Sequence, residues 1–229
     1  MTISVQEVST LSERTLLDEL NHRINNDFAS AINLVAVSAL RSNNTSVKLA
    51  LGNVVELLHS LAEVNRALKT PDADVVVDAA EYLHTLCRSM SRSRLDRLGI
   101  KLVLATETVW LHSERCWRLG LIVHELITNA ARHALFQEGD GEVEVDLSRA
   151  GGFVRCMVTD NGLPPANVKS GRGLRILGDL AESLGGYVDH SSAKGSCFSL
   201  VFPFTENERR NTRKGRRQRS VMADGHVGA

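Results

Sequence analysis

The segment ELNHRINND (19–27) sets one imidazole, His22, among polar neighbours on what its spacing predicts to be a helix. His22 lies two residues from both Leu20 and Ile24, roughly 200° of helical rotation from each. An apolar stripe that packs inward therefore leaves His22 pointing out, on a face shared with Asp18, Asn25, Asn26 and Ala29. An exposed imidazole, neutral for a large fraction near pH 7, is a good nucleophile toward phosphorus. Taken alone, a helical histidine of this kind is more often a solvated surface residue.

Farther along, HELITNAARHA (124–134) spaces Glu125 and Asn129 four apart, with Arg132 and His133 following three and four later. All four can line one helix edge while Leu126, Ile127 and Ala130 pack on the other side. A carboxylate, a carboxamide and cationic groups along one edge suit a magnesium–triphosphate, because Mg2+ takes hard oxygen ligands and positive groups balance phosphate charge. The plain alternative is an amphipathic helix with a solvated face. VTDNGLPP (158–165) ends an apolar strand and aims the Asp160 carboxylate into a cleft, with Gly162 permitting close approach by a flat ring. Such a carboxylate accepts a hydrogen bond from the adenine amino group, where guanine carries a carbonyl; the alternative is a plain Asn-Gly turn. In GRGLRILGDLAESLGG (171–186), Gly171 and Gly173 introduce a helix whose free N–H groups can take phosphate oxygens. A GxxxxGK[ST] signature is absent and no βαβ unit surrounds these glycines, so P-loop and Rossmann readings fail.

These groups need elements to hold them. Leu17, Leu20, Ile24, Phe28, Ala31 and Val35 recur at helical steps, and Val47, Leu51, Val54, Leu58, Leu61, Asn65 and Leu68 form a second stripe. The polar RSNNTS (41–46) between them reads as the turn of a helical hairpin. One such hairpin has little to bury, whereas two copies close a four-helix bundle, so residues 10–69 are expected to be a dimerisation hairpin behind a flexible 1–9. KTPDAD (69–74) breaks the helix as a linker. Over 75–205 strands are predicted at 75–77, 100–105, 142–147, 153–159, 187–190 and 196–204. Helices are predicted at 79–97, 113–136 and 172–184, with Ser113 as an N-cap and Gly185-Gly186 as a stop. The fold class is α+β: a helical hairpin, then an α/β sandwich with helices on one face of a mixed or antiparallel sheet.

Bulk properties agree with a globular chain that buries an aliphatic core: 43% hydrophobic and 24% charged residues, 4% aromatics and a formal net charge of +0 across 229 residues. Zero net charge points to no polyanionic partner. The four cysteines lie far apart with no CxxC pairing, which supports neither a metal cluster nor a disulfide framework and suits a reducing cytoplasm. With no apolar signal core and no long apolar run, the expectation is a soluble cytoplasmic protein, without membrane insertion, whose input comes from a partner. RRNTRKGRRQR (209–219) carries seven basic residues, and 206–229 reads as a disordered solvated tail rather than a nucleic-acid interface.

Taken in order, the four segments resemble the histidine kinases of two-component signalling, and most nearly the HWE-related group. LLDELNHRINND is similar to that group's phosphoacceptor motif, HELITNAARHA to its N box with the leading His124, DNG and GRGL to its two glycine boxes, and LAESLGG…AKGSCFSLVFP to the end of the GHKL (Bergerat) ATP-binding fold. The resemblance runs from Leu16 to Pro203 and implies the roles that follow. His22 would accept the γ-phosphoryl group of ATP and pass it to the aspartate of a response-regulator receiver domain. Asn129 would hold Mg2+, with Glu125 orienting it or assisting proton transfer, and Arg132 and His133 would meet phosphates. Asp160 would read adenine, Gly162, Gly171 and Gly173 would shape the nucleotide loops, and Gly195 and Ser196 would lie near the adenine pocket. Asn26, four after His22, would position water for phosphatase action. Only eight residues separate Gly162 from Gly171, so the ATP lid is short. Two other readings share these residues: a histidine phosphotransfer protein with a degenerate ATP site, and a GHKL serine kinase or ATPase.

Overall fold

A computed structural model describes residues 5–69, 75–136, 141–163, 172–192 and 195–212. Most of the expected linker, Gly171, and the tail beyond 212 lie outside the described residues. The chain divides into two compact units, one ending at Thr70 and the other starting at Pro71.

The first unit is the hairpin of α1 (Val5–Arg41) and α2 (Thr45–Ala67). Helix α1 already begins inside the stretch expected to be flexible, since VQEVSTLSER holds neither glycine nor proline to stop it. Asn44 starts α2, its Oδ1 accepting the N–H groups of Ser46 (2.9 Å) and Val47 (3.3 Å), a cap worth about 1 kcal/mol. Asn21, Asn25, Phe28, Ile32, Ala36 and Ala39 are partly buried on one side of α1. Leu16, Leu20, Ile24 and Leu34 instead stay exposed, on a strip roughly a third of a turn away. The predicted stripe thus straddles two faces, of which a single hairpin covers one.

The second unit runs β1 (Val76–Asp78), α3 (Ala79–Met90), β2 (Lys101–Thr106), β3 (Trp110–His112), α4 (Ser113–His133), β4 (Glu142–Ala150), β5 (Phe153–Asp160), α5 (Arg172–Ser183), β6 (Tyr187–Ser191) and β7 (Ser196–Pro203). Five strands form one sheet in the order β2-β4-β5-β7-β6, parallel only between β2 and β4, while β1 and β3 pair apart as a short antiparallel ribbon. Alternation decides which face is buried: Val143, Val145, Leu147, Val154, Cys156 and Val158 are inside, with Glu144 and Arg155 outside. The apolar side of α4, with Leu119, Ile122, Val123, Leu126 and Ile127 buried, and Leu83 and Leu86 of α3 complete this core. Gly120 lets α3 and α4 come close, since a Cβ there would run into the Tyr82 ring. All four cysteines are free, and burial pushes the Cys87 thiol up to about 12.

Three expectations change. Strand β3 was not foreseen, because three residues are too few to show alternation. Ser113 is the first helical residue, with His112 in the N-cap position; the Ser113 hydroxyl accepts the Val75 N–H (3.3 Å), and its own N–H donates to the Val75 carbonyl (2.7 Å). The tail expected to be disordered from 206 instead continues as a helix over 206–212. Thr205 and Glu208 form a capping box, Glu208 Oε2 accepting the Thr205 N–H (2.8 Å) and the Glu208 N–H donating to Thr205 Oγ1 (3.3 Å). Glu208 is fully buried, with Oε1 accepting the His112 N–H (2.9 Å). The same oxygen lies 3.0 Å from Arg115 Nε, an ion pair not aligned as a hydrogen bond. Arg115 also donates to the carbonyls of Leu184 (3.0 Å) and Pro203 (2.6 Å), so one buried pair joins α4, the end of α5, β7 and the C-terminal helix.

Candidate functional site

In the hairpin, His22 is exposed, as its spacing requires. Its Nδ1 lies 3.4 Å from Asn26 Nδ2, which donates to it in the imidazole tautomer that leaves Nδ1 without a proton. Arg23 is held by Glu19 one turn earlier (2.8 Å), and this cation draws the Glu19 carboxyl below the usual range. Asn25 does not share the exposed face of His22: it is half-buried, and its Oδ1 accepts from Asn65 Nδ2 of α2 (3.4 Å). That bond also explains a polar residue within the apolar stripe of α2.

In the second unit, two strand ends and one helix end meet. Asp160 closes β5 and Ser196 opens β7, directly paired across the ladder. Asp160 Oδ1 accepts the N–H groups of Gly162 (3.1 Å) and Ser196 (3.4 Å). Its other oxygen accepts no hydrogen bond among the described residues. Burial raises the Asp160 carboxyl above its ordinary range, opposed by those two N–H groups and by the His190 imidazole. Gly195 takes φ +91°, and a Cβ there would overlap the Asp160 carbonyl oxygen, so only glycine fits. Asn161 anchors the same loop to β4, its Oδ1 accepting the Glu142 N–H (2.8 Å).

Gly162 has a different task from the one its sequence suggests. A Cβ there would sit 2.6 Å from Ala134 Cβ, so the glycine makes room for the end of α4 rather than for a flat ring. Leu163 and Leu135 then exchange backbone bonds (3.0 and 3.2 Å), sewing the Asp160 loop to the last turn of α4. On α4, Glu125 and Asn129 are half-buried and Arg132 is exposed, while Leu126, Ile127 and Ala130 are buried opposite. The Glu125 and Asn129 side chains have no hydrogen-bond partner among the described residues, and two hard oxygen donors on one edge fit a divalent cation. His124 beside them is desolvated, which lowers its pKa; Glu125 opposes the shift, and Arg132 and Arg94 add to it.

Four of the expected residues, Asp160, Gly162, Gly195 and Ser196, thus come together beside the helix that carries Glu125, Asn129 and Arg132. Gly173 lies in the first turn of α5, and the His133 side chain and Gly171 are outside the described residues. His22 and Asn26 belong to the other unit. Two neighbours of Ser196, His190 and Phe198, carried no motif signal. Their strands alternate like any others, and only the sheet brings the rings together.

The mixed sheet, with helices on one face and a carboxylate at a strand end beside an Asn-bearing helix, is the architecture of the kinase and ATPase class. Comparison with known families agrees. Residues 117–206 match the family model described as histidine kinase-, DNA gyrase B-, and HSP90-like ATPase, and residues 19–94 match a histidine kinase model. The chain thus carries a histidine kinase domain followed by an ATPase domain of the kind that histidine kinases share. Blue-light-activated histidine kinase 2 of Erythrobacter litoralis is 25% identical over 84% of this chain and 58% of its own length. Sensor histidine kinase PdtaS of Mycobacterium tuberculosis is 27% identical over 67% of this chain and 30% of its own length. The chain therefore spans well under two thirds of these relatives. A solved histidine kinase domain from an Erythrobacter litoralis blue-light activated kinase shares the fold, with a TM-score of 0.54 at 21% identity, covering 86% of this chain and 97% of that one. No helix among the described residues is long and apolar enough to cross a membrane.

Proposed function

We propose that this chain binds ATP in the second unit, phosphorylates its own His22, and passes the phosphoryl group to the aspartate of a response-regulator receiver domain. The observation that carries this reading is the Asp160 carboxylate, held through one oxygen by two backbone N–H groups while the other is left to accept from an adenine amino group. Arg132 and His133 meet phosphates, and Gly171 and Gly173 shape the loop around them. Glu125 and Asn129 hold Mg2+, which when bound neutralises triphosphate charge. An imidazole nitrogen of His22 attacks the γ-phosphorus in line. The N–P bond forms as the bond from phosphorus to the bridging oxygen breaks, the electron pair leaves with ADP, and the second imidazole N–H gives its proton to solvent. No strong base is required, since positioning and charge neutralisation carry the step. Asn26, in reach of the ring, orients water for phosphatase action. Two copies of the hairpin pair through the exposed strip of Leu16, Leu20, Ile24 and Leu34, and a partner supplies the input from within the cytoplasm.

Incubation with γ-labelled ATP tests the reading. Wild type is expected to take up acid-labile label that His22→Ala and Asn129→Ala both lose. Acid-stable label, or label that persists in His22→Ala, would overturn it. Absence of label with ATP, together with phosphate acceptance from a phosphorylated regulator, would show a phosphotransfer protein instead.

A further inference from the structure

The strand β6 brings one unassigned ring to the Asp160 corner. Cross-strand register sets His190 beside Phe198, and Phe198 beside Val158, one step inward from the Asp160–Ser196 pair. Side chains two apart on a strand share a face, so His190, Phe198, Ser196 and Asp160 all lie on the side of the sheet that carries buried Val158. The His190 and Phe198 rings stack with centroids 4.2 Å apart and planes 15° from parallel. From there His190 Nε2 reaches Ser196 Oγ at 2.9 Å.

That contact falls where the backbone has none to offer. Pairing of β6 with β7 runs only as far as Ser191 and Cys197, so Ser196 lies one residue beyond the ladder on that side. It also follows Gly195, whose left-handed φ of +91° turns the chain sharply. Yet the Ser196 N–H is one of the two donors that hold Asp160 Oδ1, and at 3.4 Å it is the longer of them. Whatever fixes Ser196 fixes the carboxylate.

We propose that His190 is a positioning residue for nucleobase recognition: braced by Phe198, it ties down Ser196 and so holds the Asp160 carboxylate in line for the amino group of the base. This rests on the nucleotide reading above. His190 need not touch the base, and it takes no part in phosphoryl transfer.

The full chain with Mg2+ is titrated calorimetrically with ATP and with GTP, for wild type, His190→Phe and His190→Gln. Phenylalanine keeps the stack on Phe198 and removes the hydrogen bond; glutamine restores a polar group within reach of Ser196. One hydrogen bond of ordinary net worth predicts that His190→Phe weakens ATP binding about two- to tenfold. Weak GTP binding should stay unchanged, so the ATP/GTP ratio narrows, with a melting temperature near that of wild type. His190→Gln should recover most of the ATP affinity. Wild-type ATP binding in His190→Phe overturns the proposal, and so does equal weakening of both nucleotides, which marks general damage to the pocket. A wild-type chain that binds no ATP overturns the nucleotide reading itself, a result distinct from either.

Discussion

At the scale of single residues, partial burial moves the titrations of Asp160 and His124 in opposite directions. Asp160 is half-buried and its carboxyl raised, yet two N–H groups keep it a defined acceptor. His124 shows the opposite sign. Its folded pKa lies below the ordinary 6.5, so the folded chain binds fewer protons than the unfolded chain between the two values. The stability this confers is present above 6.5 and lost as pH falls from there through the folded value. Melting temperatures measured from about pH 8 to about pH 5 should therefore fall more for wild type than for His124→Gln, with the curves separating below 6.5. Parallel curves would show that His124 is not desolvated in solution.

At the scale of elements, the C-terminal helix is bound into the second unit by the Glu208 carboxylate and, at its far end, by the buried Thr212 hydroxyl, which accepts the Trp110 N–H (3.1 Å). Glu208 caps its own helix, accepts from the His112 backbone and faces Arg115, all without solvent. Removing one member of a buried pair leaves an uncompensated charge, at a cost of about 3–5 kcal/mol. Glu208→Ala should lower the melting temperature of the second unit by roughly 10 °C or more, whereas Arg210→Ala, which loses only an exposed ion pair with Glu206, should leave it within about 2 °C. Equal melting of both variants would mean that the helix is not docked. The β5–α4 junction has the same logic in apolar form, since Gly162 and Ala134 are too close for any added methyl group.

At the scale of the whole molecule, the proposed chemistry is divided between two units: the hairpin carries His22, and the sheet domain carries the residues proposed to bind the nucleotide. The hairpin leaves Leu34 70% and Leu20 48% exposed, an apolar strip that water disfavours and that a second copy covers in the proposed dimer. Ile24→Glu combined with Leu34→Glu should convert a dimer to a monomer in analytical ultracentrifugation while ATP affinity stays at the wild-type level, because the nucleotide groups lie in the other unit. A dimer that survives both charges would place the interface elsewhere.

The amino-acid sequence by itself determined the hairpin and, β3 apart, the order of strands and helices, and it named the residues of the candidate site. Helical and strand periods, glycine stops and the Glu125–Asn129 spacing are local properties, legible without knowing what packs where. The tertiary structure decided what depends on distant neighbours. Glu208 reads as one charge in a polar run until Arg115 and the His112 backbone surround it. Gly162 reads as room for a ligand until Ala134 takes that room. Asn25 reads as exposed until Asn65 meets it across the turn. His190 has no signature at all, because a strand's alternation tells which face a ring lies on and not which ring or hydroxyl awaits it on the next strand.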